Sequence, residues 1–360
     1  DKEFIMSSYP WGSVRARDTF LALPGSTLSI DHTEDFHQIM DTAIKAYEHY
    51  METEELDPRI HGIDLPDIPL WALWAIQQYG RSQGFDKARK RYMPVVSKLL
   101  NWILAGGHPN LQVETSGLVS TTGTSTPASW MNSTQAGWPL VPRTGLLVEF
   151  NALWYNGLMF GCNLSEGIPE YENHRESWLT VANQAKTAFI TTFLNDYGYL
   201  YDYVNGKYSD PAVRPNMAIA IGLDYSPLDR RQRKSVLDIV TRELLTPKGL
   251  RTLSPKSYGY MPFYIGQPDV RERAYHNGPA RPWLFGFYAD AYIKVFGMSG
   301  VSYIDRMLIG FEDEMSQNCI ASISQLYDGN PPFSGHGSIS HATNVAEVLR
   351  TLRNLKRLNP

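Results

Sequence analysis

Charged and amide side chains in this sequence cluster beside aromatic and proline residues, at points where apolar stretches begin. Arg17 and Asp18 precede the segment TFLALPG, and Asp67 starts another apolar stretch. Burying such groups costs free energy unless they are paired or hydrogen-bonded. Carboxylate and guanidinium groups each make two hydrogen bonds in fixed geometry, which suits sugar hydroxyls. Together they predict a polar pocket for a polyhydroxylated ligand, formed by Arg15, Arg17, Asp18, Asp67, Arg143, Glu149, Asn151, Arg214, Asn216, Tyr275, His276 and Asn277.

Each of these residues also has an ordinary structural role open to it. Asp18 and Asp67 stand where an aspartate can cap a helix, and the charged groups can pair with one another. His336 and His341 are five apart in a Gly- and Ser-rich loop, which is compatible with a metal site. A solvated loop is the simpler interpretation of those two histidines.

The stretch SWMNST, residues 129–134, places an indole and the carboxamide of Asn132 inside a polar segment. That segment runs from Ala105 to Pro142 and is rich in Gly, Ser and Thr. A connection of this length without regular structure usually carries function.

Composition excludes several classes of function. The net charge is -4 and no block of basic residues occurs, so binding to nucleic acid or to an anionic membrane is not expected. No apolar run is long enough to predict a transmembrane helix, and no phosphate-binding loop, H-E-x-x-H or G-x-S-x-G motif is present. Cys162 and Cys319 form no disulfide framework. They are compatible with a reducing compartment, and we expect a cytoplasmic protein.

Most of the chain has helical periodicity. The pattern predicts helices over Thr33–Glu52, Pro66–Tyr79, Lys87–Leu104, Leu146–Cys162, Tyr171–Phe193, Asn216–Ile221, Asp229–Leu244, Arg281–Phe296, Ser302–Met315 and Ser338–Leu355, and a short hairpin or strand over Tyr197–Val204. Helices in this number, with functional loops between them, predict a single all-α domain over residues 1–360, an (α/α)6 barrel with long functional loops. A helical solenoid is the physical alternative. The charged N-terminus leads abruptly into an aromatic motif, and we expect the chain to be a fragment or a domain whose N-terminal partner was removed.

The order of motifs resembles that of the amylo-α-1,6-glucosidase domain of glycogen debranching enzymes, bacterial type. The resemblance spans almost the whole chain and is carried by RARDTFLALPG, DLPDIPLWALWAIQQY, SWMNST, GWPLVPRTGLLVEFNALWYNGL, VRPNMAIAIGLDYSPL, LLTPKGLRTLSP, YHNGPARPWLFGFYADAYIKVFG, SISQLYDGNPP and NVAEVLR. It implies an (α/α)6-barrel glycoside hydrolase of glycogen catabolism that removes an α-1,6-linked glucose with inversion. An N-terminal β-rich domain is usual in bacterial members of that family.

The resemblance places amides where this chemistry needs acids. Inverting hydrolysis uses one carboxylic acid and one carboxylate, about 6.5–9.5 Å apart. The family has T-W-M-D for the acid and I-S-E for the base, whereas this chain has Asn132 and Gln325. An amide hydrogen-bonds a sugar but does not exchange a proton near neutral pH. Three explanations stay open: an engineered inactive form, a natural glucan-binding protein, or recruitment of other carboxylates, namely Glu149, Asp328 or Asp67.

The other motif residues imply an intact glucose pocket. By this resemblance the substrate-binding residues are Arg17, Asp18, Asp67, Trp130, Arg143, Asn151, Arg214, Asn216, His276 and Trp283. Arg281 stands where the family often has Trp, and Arg15 makes the pocket more basic. We expect an α-glucan or oligosaccharide partner and no cofactor, since inverting hydrolysis needs only water and two carboxyl groups. A non-catalytic α-glucan-binding protein is the main alternative, and a glucoamylase-like or trehalose-type glycosidase is another.

Overall fold

The computed structural model describes residues 3–122, 126–318 and 320–358, so Cys319 lies outside the described residues. Within them the chain is mostly helical, as predicted. The helices are α1 (Ala16–Thr27), α2 (Thr33–Thr53), α3 (Ile68–Gln83), α4 (Phe85–Leu104), α5 (Val148–Leu164), α6 (Glu172–Phe193), α7 (Asn216–Gly222), α8 (Arg230–Glu243), α9 (Pro268–Ala274), α10 (Leu284–Phe296), α11 (Met298–Glu312) and α12 (Ala342–Leu358). None of these helices is long and apolar enough to cross a membrane.

The helices differ in how much of their surface is buried, as their sequences predict. α3 and α5 are apolar on most sides, and nearly every side chain in each is buried. α4 carries one apolar stripe and exposes a charged face, whereas α12 buries polar residues such as Glu347 and Arg350 and is exposed only at residues 356–358. α8 begins with a capping box, in which Asp229 accepts from the Gln232 N–H and Gln232 accepts from the Asp229 N–H.

Six helices contact one another in a closed cycle. α1 packs against α3, α3 against α5, α5 against α7, α7 against α10, α10 against α12, and α12 against α1. The helices α2, α4, α6, α8 and α11 pack against members of this cycle. An open solenoid does not bring its first helix against its last. The closed cycle therefore excludes the solenoid, and buried apolar side chains lie both on its six helices and on the helices packed around them.

The contact between α1 and α12 depends on a glycine. A methyl group at Gly25 would lie 1.9 Å from the carbonyl oxygen of Ala346, well inside van der Waals distance. The absence of a side chain lets the two backbones approach and closes the cycle.

Short antiparallel strands connect the loops at the helix ends. They are β1 (Ser8–Tyr9), β2 (Leu111–Val113), β3 (Val119–Thr121), β4 (Thr134–Gln135), β5 (Trp138–Pro139), β6 (Leu146–Leu147), β7 (Tyr203–Asn205), β8 (Tyr208–Ser209), β9 (Leu245–Thr246), β10 (Gly249–Arg251), β11 (Ala280–Arg281), β12 (Leu326–Tyr327), β13 (Gly335–His336) and β14 (Ser340–His341). The largest sheet has the order β13-β12-β11-β10-β9. Its register pairs Leu250 with Arg281 and Ala280 with Tyr327. β1 pairs with β14 and joins the two ends of the chain.

Three predictions of local structure need correction. The helix predicted from Arg281 begins at Leu284, because Arg281 pairs in the sheet as part of β11. The short hairpin or strand predicted over Tyr197–Val204 is realised as an isolated antiparallel bridge between Leu194 and Leu200, and the strand β7 begins only at Tyr203. Helices α1 and α9 were not predicted, since α1 contains a proline and a glycine and α9 is only seven residues long.

Candidate active site

A cavity of about 530 Å³ opens where the loops between these helices meet. Loops that precede α1, α5, α10 and α12 contribute to its wall, so residues far apart in sequence face one another. Nine of the predicted site residues line it: Arg15, Arg17, Asp18, Trp130, Asn132, Tyr275, His276, Trp283 and Gln325. Its volume is in the range typical of small-molecule binding sites.

Asn132 and Gln325 both line this cavity; the Gln325 amide is held by neighbouring groups, and Asn132 is held through its backbone N–H. Gln325 Nε2 donates to the Tyr275 hydroxyl at 2.6 Å, and the Ser338 N–H donates to Gln325 Oε1 at 3.0 Å. The backbone N–H of Asn132 donates to His276 Nε2 at 3.1 Å, and Asn132 Oδ1 lies 3.4 Å from the same nitrogen. Neither position carries a proton that it can release near neutral pH.

His276 is a neutral, buried imidazole. Burial lowers its pKa well below the usual value, and the nearby Arg281 and Arg214 lower the pKa further. Because Nε2 accepts from the Asn132 N–H, the ring carries its proton on Nδ1. His276 therefore positions the Asn132 segment and does not serve as a cation there.

Trp130 is fixed by rings on two sides and by a hydrogen bond from beneath. Its ring meets those of His276 and Trp283 edge to face, with centroids 5.2 and 5.3 Å apart. Its Nε1–H donates to Asn216 Oδ1 at 2.7 Å, and Asn216 Nδ2 donates to Asp202 Oδ1 at 2.7 Å. The indole thus presents a rigid apolar surface to the cavity.

A buried ion cluster supports this wall from behind. Arg143 donates to Glu149 through Nη1 at 2.5 Å and Nη2 at 2.6 Å, and its Nε donates to Asp202 at 2.6 Å. Burial alone would lower the pKa of Arg143, but the two carboxylates outweigh it and raise the pKa above its usual value. The guanidinium is therefore permanently charged and holds both carboxylates.

Arg17 in the cavity wall is held by Asp67. Arg17 Nε and Nη2 donate to the Asp67 carboxylate at 2.5 and 2.9 Å, and Trp71 Nε1 donates to the same group at 3.0 Å. Asp67 precedes α3, but its side chain makes no capping hydrogen bond, and neither does any side chain at the start of α1, where Asp18 lies. The alternative that these two aspartates cap helices is therefore wrong.

Eight predicted site residues lie behind the wall and do not line the cavity: Asp67, Arg143, Glu149, Asn151, Arg214, Asn216, Asn277 and Asp328. Asn151 Oδ1 accepts from the Val119 N–H at 2.7 Å, and Arg214 Nη1 donates to the His276 carbonyl at 2.7 Å. Asp328 accepts from the Tyr264 N–H at 2.8 Å and lies 2.9 Å from His336 Nε2. Direct contact of these residues with a ligand stays a prediction; in this structure they support the residues in front of them.

The structure adds cavity residues that the sequence did not single out as site residues. Glu272, on α9, lines the cavity and accepts from the Thr134 N–H at 3.3 Å. In the described part of the chain, Asp18 and Glu272 are the carboxylates that line it. Trp11 and Tyr264 also line it, as does His341, which the sequence analysis considered only as part of a metal site.

Metal ligation has no candidate in the described ranges, where no group of three or more His, Cys, Asp and Glu side chains is placed to hold an ion. His336 pairs with Asp328, and His341 Nδ1 lies 2.9 Å from the Thr343 hydroxyl. The two histidines flagged by the sequence thus have separate partners.

Comparison with known proteins places this geometry in context. A family model described as amylo-alpha-1,6-glucosidase matches residues 2–350. A glycogen debranching enzyme of Saccharomyces cerevisiae is 26% identical over 190 residues, which is 43% of this chain and 12% of that enzyme. The chain therefore spans only about an eighth of the curated relative's length.

Solved structures show a similar fold at low sequence identity. An uncharacterised conserved protein from Thermus thermophilus matches with a TM-score of 0.63 and 13% identity, covering 96% of this chain and 94% of that one. A GH63 mannosylglycerate hydrolase from the same organism, in complex with glucose, matches with a TM-score of 0.61 and 12% identity, covering 97% and 95%. Identities this low show the fold alone.

Proposed function

The chain belongs to the amylo-α-1,6-glucosidase family, and from this premise we propose that its cavity binds the terminal α-1,6-linked glucose of a branched glucan with little or no hydrolysis. The closed cycle of six helices corresponds in this proposal to the inner ring of an (α/α)6 barrel. The glucose lies against Trp130 and Trp283, with its hydroxyls facing Arg17 and Asp18.

The proposal depends on one observation, which is that two amide side chains line the same cavity. Asn132 and Gln325 occupy the motif positions of acid and base, and both line the same space. Each amide can donate and accept, so each can bind a sugar hydroxyl or a water. General acid-base catalysis contributes typically 10²–10⁴-fold for each proton transfer, and amides forfeit it.

The rest of the cavity favours sugar recognition. Rigid indoles cover apolar C–H faces, and Arg17, which is already fixed by Asp67, hydrogen-bonds hydroxyls without further ordering. One of the similar structures is described as a glycoside hydrolase in complex with glucose, which agrees with a glucosyl-sized site.

A second candidate is an active hydrolase that uses Asp18 and Glu272. Both carboxylates line the cavity, and neither forms an ion pair within 4.0 Å among the described side chains. The carboxylates considered from the sequence, Glu149, Asp328 and Asp67, lie behind the wall and are held by partners. Asp18 and Glu272 are therefore the carboxylates to test for residual activity.

The test compares this chain with the double variant Asn132→Asp, Gln325→Glu on a glucosyl-branched limit dextrin. Glucose release is followed by NMR, which identifies the anomer, and binding is measured by calorimetry. We expect the native chain to bind the dextrin and release no glucose, and the double variant to release β-glucose. Glutamate at 325 can accept from both Ser338 and Tyr275, so the substitution keeps the local hydrogen bonds.

A matched control changes two amides on the exposed face of α6, Asn183→Asp and Gln184→Glu. It alters charge by the same amount outside the cavity and should leave both binding and hydrolysis as in the native chain. Rapid release of β-glucose by the native chain would refute the proposal, and its loss in Asp18→Asn or Glu272→Gln would establish the second candidate. Absence of dextrin binding by native and double-variant chains alike would refute both.

A further inference from the structure

One buried arginine in the cavity wall lacks the partners that the other buried arginines have. Five arginines are buried in the described residues: Arg17, Arg143, Arg214, Arg281 and Arg350. Three of them form close ion pairs with buried or nearly buried carboxylates. Arg214 has no ion pair but donates to three oxygen acceptors, on Thr252, His276 and Asn277.

Arg281 is 5% exposed and makes a single hydrogen bond, from Nη2 to the Tyr275 carbonyl at 3.1 Å. Its guanidinium carbon lies 4.0 Å from the centroid of the Tyr275 ring. Its Nε is buried without a hydrogen-bond partner, and no carboxylate of the described residues lies within 4.0 Å. A guanidinium has five N–H donors, so most of its capacity is unused.

Burying a cation without a counter-ion costs free energy, so a buried, unpaired arginine such as Arg281 indicates a place where a ligand can supply the counter-ion. Arg281 lines the cavity, where an incoming ligand can supply the missing acceptors. Asp18 and Glu272 share this cavity but form no ion pair with it. Its backbone is held in β11 by pairing with Leu250, so the side chain starts from a rigid position.

Arg281 also adjoins the second amide of the site. Its guanidinium lies over the ring of Tyr275, and the hydroxyl of that ring accepts from Gln325 Nε2 at 2.6 Å. The three side chains form one continuous wall. In the proposed function we assign this wall to the unit attached to the terminal glucose.

We propose that Arg281 binds a carboxylate on the unit attached to the terminal glucose, so that the cavity prefers an acidic α-1,6-glucoside to a neutral one. This inference rests on the proposed function and names its ligand class more closely. A carboxylate matches the flat fork of guanidinium donors and supplies the counter-charge that the wall lacks. Arg15, exposed at the cavity and without an ion pair in the described part of the chain, adds to the positive potential.

Three ligands that differ in one group test this proposal without altering the protein. Isomaltitol carries a terminal CH₂OH, isomaltobionate has a carboxylate in its place, and isomaltobionamide is its neutral isostere. Calorimetry at constant ionic strength measures the affinity of each for the native chain. Hydrogen bonds to charged groups are the strong ones, so we expect isomaltobionate to bind about 10- to 100-fold more tightly than either neutral ligand.

Protein variants then locate the preference. Arg281→Met keeps the apolar stem on Tyr275 and removes the charge, and we expect it to bind all three ligands with equal affinity. Arg281→Lys should retain a reduced preference. The matched variant Arg15→Met should retain most of it. Circular dichroism and the melting temperature establish that each variant is folded.

The outcomes separate this inference from the function on which it rests. The assignment of Arg281 is overturned if the native chain binds all three ligands with equal affinity, or if the preference for isomaltobionate persists in Arg281→Met. If the chain still binds dextrin in that case, the proposed function stands. Tight binding of isomaltobionate with no binding of dextrin or isomaltitol overturns the proposed function and supports an acidic ligand at Arg281. Binding of none of the sugars overturns both.

Discussion

Replacement of Glu149 by glutamine tests whether that residue is a structural support or a source of chemistry. Glu149 is 1% exposed and accepts two hydrogen bonds from Arg143, at 2.5 and 2.6 Å. The variant keeps shape but removes the charge, and one amide N–H then faces a guanidinium donor. Arg143 keeps Asp202 as its counter-ion.

The expected loss follows from the geometry of this cluster. Breaking a buried ion pair by removing one partner costs about 3–5 kcal/mol. Because Asp202 still neutralises Arg143, we expect the free energy of unfolding to fall by an amount at the lower end of this range, about 3 kcal/mol. The unfolding entropy of a chain of this size is roughly 0.75 kcal/mol per degree, so the melting temperature should fall by about 4 °C.

Calorimetric melting of Glu149→Gln beside Glu48→Gln measures this loss. Glu48 forms an ion pair with Lys98 at 3.1 Å on the surface, with its side chain 32% exposed. Such pairs contribute about 0–1 kcal/mol, so the control should shift by about 1 °C or less. We also expect dextrin binding by Glu149→Gln to persist below its melting range. A variant with unchanged melting temperature but abolished hydrolysis, in a background that hydrolyses dextrin, would refute this reasoning and make Glu149 a reacting group.

Two further predictions concern pH and packing. Burial lowers the pKa of His341 to about 4, whereas an unfolded histidine has a pKa near 6.5. Between these two pH values the unfolded chain binds a proton that the folded chain does not. The free energy of unfolding therefore decreases as the pH falls through this range. His341→Gln should make the dependence of unfolding free energy on pH shallower by up to about 1.4 kcal/mol per pH unit in that window, measured by urea unfolding; an unchanged slope contradicts this. Gly25→Ala should destabilise the contact of α1 with α12 by about 1–3 kcal/mol and lower the melting temperature by about 1–4 °C, whereas Ser26→Ala, next to it, should change the melting temperature by less than about 1 °C.

The sequence by itself determined the helical class, the boundaries of most helices, the family and the two amide positions. Helical periodicity is a local signal, since α3 and α5 carry it in their own residues, and the order of motifs identifies the family without any contact being known. The identity of Asn132 and Gln325 as amides is likewise a property of the chain alone.

Only the tertiary structure decided which polar side chains face the cavity and which lie behind it. Arg17 and Asp67 are 50 positions apart, and Asn132 and His276 are 144 apart, so their contacts depend on how distant loops meet. Glu149 and Asp18 have the same chemistry in sequence, yet one is held by a buried arginine and the other lines the cavity. The sequence likewise does not reveal that Arg281 has no counter-ion among the described side chains. Its lack of a partner depends on every side chain that packs around it, and only the tertiary structure determines which side chains those are.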